Sequence, residues 1–293
     1  MKKYIITAYF IPALFLSGCL ADLQTRTVKN GISPETENHG KDLLLTSWRN
    51  QGLDELNKHS TYSFSGTDVW KGLMGGIGKP WPEKRTRLNF KYAIGTFDGQ
   101  VEFLSGEYKG KMAGLQSWQY YEDNEDGITF MERNKKTSFG LAAYQYFMEL
   151  PDRLKDAPII SYAGDRTFDQ QEYHLVFVTW STPKPHKEHD QYLLWINKER
   201  SLIEYAEFTI RDNYLKLPGS AAFYGSIHYE DFRSIEGVHI PHKQTVFMNG
   251  PKKKEKKRLH QITIDSFAFD NFPESMLYPN PELEKVGDSK KNR

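Results

Sequence analysis

"RTRLNFKYAI", Arg85–Ile94, alternates polar and apolar side chains through its middle, from Arg87 to Tyr92. Leu88, Phe90, Tyr92 and Ile94 fall on one face and Arg85, Arg87, Asn89 and Lys91 on the other, the mark of a strand wet on one side. The same period-two reading continues downstream, in Gln100–Ser105 and in "LQSWQYY" (115–121), "GITFMER" (127–133) and Ile159–Ala163. It runs on through "EYHLVFVTWST" (172–182), "QYLLWIN" (191–197), "LIEYAEFTI" (202–210), "AAFYGSIHY" (221–229), "IPHKQTVFM" (240–248) and "LHQITIDSFAF" (259–269). Turn signals such as Asn197-Lys198, Asp212-Asn213 and Asn249-Gly250-Pro251 separate them. Short consecutive connections imply antiparallel neighbours, so about eleven strands form one antiparallel meander.

Helical spacing occurs twice. "KDLLLTSWRNQGLDELNK" (41–58) keeps Leu45, Trp48, Gly52 and Leu56 on one side. "TSFGLAAYQYFMELPDRLKDAP" (137–158) interrupts the meander, with Phe139, Ala143 and Phe147 four apart and Pro151 ending the helix. These two are the candidates to cover the concave side of a long sheet. In "EYHLVFVTWST" both faces are apolar, Tyr173, Leu175 and Phe177 against Val176, Val178 and Trp180, which a sheet bare on one side does not show.

Lys+Arg 39 against Asp+Glu 38 leaves a formal charge of +1 over 293 residues, which gives no electrostatic case for nucleic acid. A mean hydropathy of −0.67 and the lack of a second long apolar run argue against membrane spans in the body of the chain. Aromatics at 14% fit strands and apolar cavities.

Motifs for chemistry are sparse, and neither a metal nor a cofactor is expected. "GLMGGIGKP" (72–80) fails the phosphate-loop pattern, with Leu73 where the first glycine belongs and Pro80 where the hydroxyl belongs, and reads as a flexible loop. "HKEHD" (186–190) places two imidazoles beside carboxylates, and His239 and His242 repeat the spacing. After Pro183 and Pro185 it reads as a solvated hairpin turn rather than a zinc site. "PKKKEKKR" (251–258) reads as a charged turn, with contact to acidic lipid as the alternative. No G-x-S-x-G and no H-E-x-x-H is present, so no catalytic residue is assigned and a non-enzyme is expected.

At the N-terminus, Lys2-Lys3 and the uncharged run Tyr4–Leu16 fit an export signal too short to span a bilayer. Leu16-Ser17-Gly18-Cys19 resembles the bacterial lipobox. The resemblance implies cleavage after residue 18 and a diacylglyceryl thioether on Cys19, the chain's one cysteine, so the mature domain holds without disulfides. Two or three acyl chains anchor a protein to a membrane effectively permanently. Leu20, in place of the aspartate that retains lipoproteins at the inner membrane, points to the outer membrane of a Gram-negative envelope. Residues 19–40, polar with Gly31, Pro34 and Gly40, read as a tether, 41–272 as the domain and 273–293 as a loose tail.

Export signal, early helix, meander and helical insertion together resemble the LolA/LolB-like superfamily of lipoprotein carriers and receptors. "YEDFRSIEGVHIPHKQTVF" (229–247) carries the clearest local resemblance, followed by "YLLWINKERSLIEYAEFTI" (192–210) and "AAYQYFMELPDRLKD" (142–156). The resemblance implies a mainly β (α+β) fold, an incomplete antiparallel barrel whose apolar concave face, lidded by helices, holds acyl chains. Phe90, Tyr92, Trp118, Phe147, Phe177, Trp180 and Trp195 are the expected ligand contacts on that face. The expected function is binding of a lipid or other hydrophobic ligand by a membrane-anchored lipoprotein. A structural lipoprotein with a filled core is the alternative, and an envelope hydrolase a further one.

Overall fold

The computed structural model describes residues 20–124, 127–132, 134–211, 220–252 and 258–288; the expected signal segment and Cys19 lie outside them. Three helices come first, α1 (Arg26–Lys29), α2 (Pro34–Asn50) and α3 (Leu53–Leu56). Strand β1 (Thr61–Trp70) and helix α4 (Gly72–Gly78) lead into β2 (Arg85–Ala93), β3 (Gly99–Phe103), β4 (Met112–Gln116), β5 (Gln119–Asn124) and β6 (Gly127–Phe130). Helices α5 (Lys135–Met148) and α6 (Leu150–Leu154) interrupt the meander. It resumes with β7 (Ile159–Phe168), β8 (Gln171–Thr179), β9 (Gln191–Asn197), β10 (Ile203–Thr209), β11 (Tyr224–Ile235), β12 (Val238–Met248) and β13 (His260–Phe269).

All pairings are antiparallel in one 13-stranded sheet of order β6-β5-β4-β3-β2-β1-β13-β12-β11-β10-β9-β8-β7. The edge strands β6 and β7 do not pair with each other, so the barrel is incomplete, as the LolA-like reading requires. Thirteen strands stand where about eleven were expected. The segment 115–121 is a hairpin rather than one strand, because Ser117 and Trp118 both take positive φ (50° and 65°) and turn the chain in two residues. β1, "TYSFSGTDVW", was not expected, its alternation being diluted by Ser, Thr and Gly on both faces.

One face of the sheet, the inner one, is covered by α2, α5 and α6 and holds two apolar clusters. The first joins Tyr62 and Phe64 of β1 to Phe90 and Tyr92 of β2 and to Trp81 and Leu141. The second packs Leu44 of α2 and Leu150 and Leu154 of α6 on Val176, Val178, Leu194 and Ile227. Each such side chain, fully buried, stabilises the fold by about 1.5–3 kcal/mol. α5 starts at Asn134, whose side chain caps Thr137 N, and Pro151 sits in the first turn of α6, where its missing N–H costs nothing.

Three further expectations are corrected. Residues 20–40 are not a free tether. Ser33 and Thr36 form a reciprocal capping box with Pro34 at the first turn, so α2 starts seven residues before Lys41, and Leu23 and Val28 are buried on the outer face of the sheet. The tail is not loose as far as residue 288. Leu277 is fully buried, and the Gln116 amide both donates to Asn280 O (2.6 Å) and accepts from Asn280 N (3.0 Å). "GLMGGIG" is helix α4 rather than a flexible loop. Gly75 is needed for contact, since a Cβ there would lie 2.9 Å from Leu259 O.

The two ends of the sheet differ. At one, strands are joined by 94–98, 117–118, 169–170, 198–202 and 236–237, three of these being two-residue turns with both residues at positive φ. At the other are the long segments 71–84, 104–111, 180–190, 210–223 and 249–259, the β5–β6 link 125–126 lying outside the described residues. The second is called the loop end below.

Candidate functional site: an apolar cavity with a polar floor

Between the two inner clusters, under α5, lies a cavity of about 210 Å³. It is far larger than the roughly 10–15 Å³ that holds one water and below the roughly 300 Å³ of a drug-sized pocket, so it suits a slender group rather than a bulky one. Phe139, Ala143 and Phe147, the helical stripe of α5, form its roof; Phe208, Ile227 and Val246 of the sheet form its wall. Met74, Phe223, Met248 and Leu259 carry the lining out to the loop end.

Its floor is polar. The Asp68 side chain is fully buried, and its Oδ2 accepts from the Tyr144 hydroxyl (2.7 Å) and from Trp70 Nε1 (2.8 Å), while its Oδ1 meets His260 Nε2. Tyr144 Oη also lies 2.8 Å from His260 Nε2. Burying a carboxylate is costly unless donors surround it, and three do. Burial, then the charge of Asp68, holds the Tyr144 hydroxyl well above the usual phenol range, so it serves as a donor and not as a base. Trp70 stacks on the His260 ring at 4.2 Å. His260 Nδ1 has no partner among the described residues, and His260, with Trp70 and Tyr144, lines the cavity. The floor can therefore hydrogen-bond a polar group at the end of an otherwise apolar molecule.

Of the seven expected contacts, Phe147 alone lines this cavity. Phe90 and Tyr92 are on the inner face but packed solid, Phe90 stacked on Tyr144 at 5.0 Å and Tyr92 donating to Leu141 O. Trp180, half-buried, sits edge-on to Tyr192, and Trp118 packs on Phe97 at the end opposite the loops. Phe177 and Trp195 are corrections of face. They point outward, into a cluster with Tyr173, Tyr205, Leu23 and Val28, because the N-terminal segment buries the second face of β8 and β9. Asp68, Tyr144 and His260 were missed. The one sequence signal for them was a charged residue among the inward positions of β1.

His186, Glu188 and His189 lie in the segment read as a solvated turn, and no helix forms there. The loop after Pro185 brings their ligand atoms within 4.8 Å of one another, with the two rings stacked. His242 is buried on β12 against Ile240 O and does not join them.

No family model matches the chain, and no curated protein matches it in sequence. Among solved structures it is similar to a DUF1329 family protein from Desulfovibrio piger, at 12% identity and a TM-score of 0.51, over 83% of this chain and 97% of that one. It is also similar to a LolA superfamily protein from Nitrosomonas europaea, at 12% identity and a TM-score of 0.49, over 81% and 96%. At such identity the similarity to the Desulfovibrio piger protein is one of fold alone.

Proposed function

We propose that this chain is a non-catalytic envelope lipoprotein, held by lipid on Cys19, that takes the apolar part of a lipid or similar amphipathic molecule under α5. The polar end of that molecule rests on His260. The observation that carries the reading is the pairing of an apolar cavity of about 210 Å³ with one buried, hydrogen-bonded polar cluster at its base. Apolar walls with a few placed polar groups are the general form of a small-molecule site. The cluster's three donors are turned on Asp68, so His260 Nδ1 is the group it presents to a ligand, and among the cavity-lining residues there is no serine, threonine or cysteine to serve as a nucleophile.

The test is direct. Protein purified without detergent is extracted with solvent and the extract analysed by mass spectrometry, alongside displacement of a fluorescent fatty acid. Ala143→Phe, which places a ring in the cavity from its roof, is expected to lower fatty-acid affinity at least tenfold while leaving the fold intact. An empty extract together with unchanged binding in Ala143→Phe would sink the reading and leave a filled structural lipoprotein.

A further inference from the structure

The asymmetry of the two ends carries an inference that stands whether or not the cavity holds a lipid. Antiparallel order places the long connections 71–84, 104–111, 180–190, 210–223 and 249–259 at one end. Among their described residues they hold ten Lys or Arg against four Asp or Glu. The strand connections at the opposite end, 94–98, 117–118, 169–170, 198–202 and 236–237, hold two against four. In a chain of net charge +1, the described residues of these connections thus divide by charge between the two ends of the sheet.

The charges also differ in how they are satisfied. At the far end both cations are paired, Lys198 with Asp165 at 2.7 Å and Arg200 with Glu204. At the loop end Lys71, Lys84, Lys109, Lys111, Lys184 and Lys187 are exposed, and among the described residues none forms an ion pair. Large apolar side chains stand between them: Leu73 is 78% exposed, Phe223 49% and Tyr108 37%. Nucleic acid or an acidic protein would account for the lysines but not for leucine and phenylalanine held out in water at the mouth of an apolar cavity. Cations interleaved with apolar tips are what an anionic bilayer takes.

The path of the chain agrees. Ala21 N donates to Ala221 O (2.8 Å), and the Arg211 guanidinium donates to both Ala21 O and Ala221 O (2.8 Å each). The first described residues are therefore pinned beside Phe223 on the loop end, with no slack between residue 21 and the body.

We infer that the loop end is a docking face for anionic phospholipid, with Leu73 and Phe223 entering the interface and the cavity mouth lying against the membrane. Each lysine within reach of an anionic surface raises partitioning about fivefold, an effect that salt screens.

The experiment uses the full-length chain with Cys19→Ser, which removes the lipid anchor and the one thiol. Single cysteines are introduced as Leu73→Cys, Ala222→Cys or, at the far end, Ser234→Cys, and labelled with an environment-sensitive fluorophore. Vesicles are phosphatidylcholine alone or with 30% phosphatidylglycerol. The labels at 73 and 222 are expected to shift to the blue on the anionic vesicles only and to revert in high salt, with the label at 234 unmoved. Lys109→Ala with Lys111→Ala is expected to cut binding roughly twenty-five-fold. Equal response at both ends, or equal response to neutral vesicles, overturns the inference. Silence at 73 and 222 on both vesicles overturns it as well and leaves an acidic protein as the partner of this face.

Discussion

Both faces of β8–β11 carry aromatic side chains, and the two do different things. On the outer face Trp195, Tyr173, Tyr205 and Phe168 meet edge to face at 5.7–5.8 Å, and Tyr205 stacks on His228 at 4.0 Å. Leu23 and Val28 close over them, so the cluster is full. On the inner face Phe208 packs on Phe147 at 4.6 Å, yet a cavity remains, because the α5 stripe carries the small Ala143 between Phe139 and Phe147, where a larger side chain would fill it. An aromatic load marks a place where apolar surface must be buried, and the covering element decides whether space is left.

That contrast can be broken by truncation. Phe177→Ala on the filled outer face is expected to cost about 3–5 kcal/mol in urea unfolding, with fatty-acid binding unaffected in the surviving folded protein. Phe147→Ala faces space already, so its loss is expected to stay below about 2 kcal/mol while ligand affinity falls. Similar losses at both positions would mean that the inner face is as full as the outer.

The smallest effect sharpens the electrostatics of the outer face. Glu207 is buried there, accepting from Trp195 Nε1 at 3.0 Å. Burial raises its pKa, against the hydrogen bond from Trp195 and the charge of Arg166. The folded protein therefore holds this proton to higher pH than the unfolded chain does. Its contribution to stability is complete below the unfolded carboxyl range, near about 4.3, and is lost as pH rises through the folded value. Glu207→Gln keeps the acceptor and removes the ionisation. It is expected to be more stable than the parent at pH 7, by less than about 1 kcal/mol. The difference should vanish near pH 4. Thermal unfolding across that range reads it, and a gap that widened toward acid would contradict the sign.

Alternation in Arg85–Ile94 and its successors is a local property of side chains on a pleated backbone, so the strand faces, the meander and the helical insertion could be read from the chain alone. The sequence also showed that β8 is apolar on both sides, although what covered its second face could not be read locally: a polar, glycine- and proline-bearing stretch carries Leu23 and Val28 onto it. For the same reason Phe177 and Trp195 were placed with the cavity when they belong to the opposite side. The two-residue turn at Ser117-Trp118 was hidden because neither residue is a usual occupant of positive φ. What the sequence determined by itself is an antiparallel, helix-lidded, mainly β domain behind a lipobox-like segment. What only the tertiary structure decided is the site. Asp68 and His260 stand 192 residues apart and meet because β1 pairs with β13, the first strand with the last. Periodicity tells a strand which face is buried, whereas the identity of its neighbour, and so of the side chain across the ladder, is set by the closing of the whole sheet.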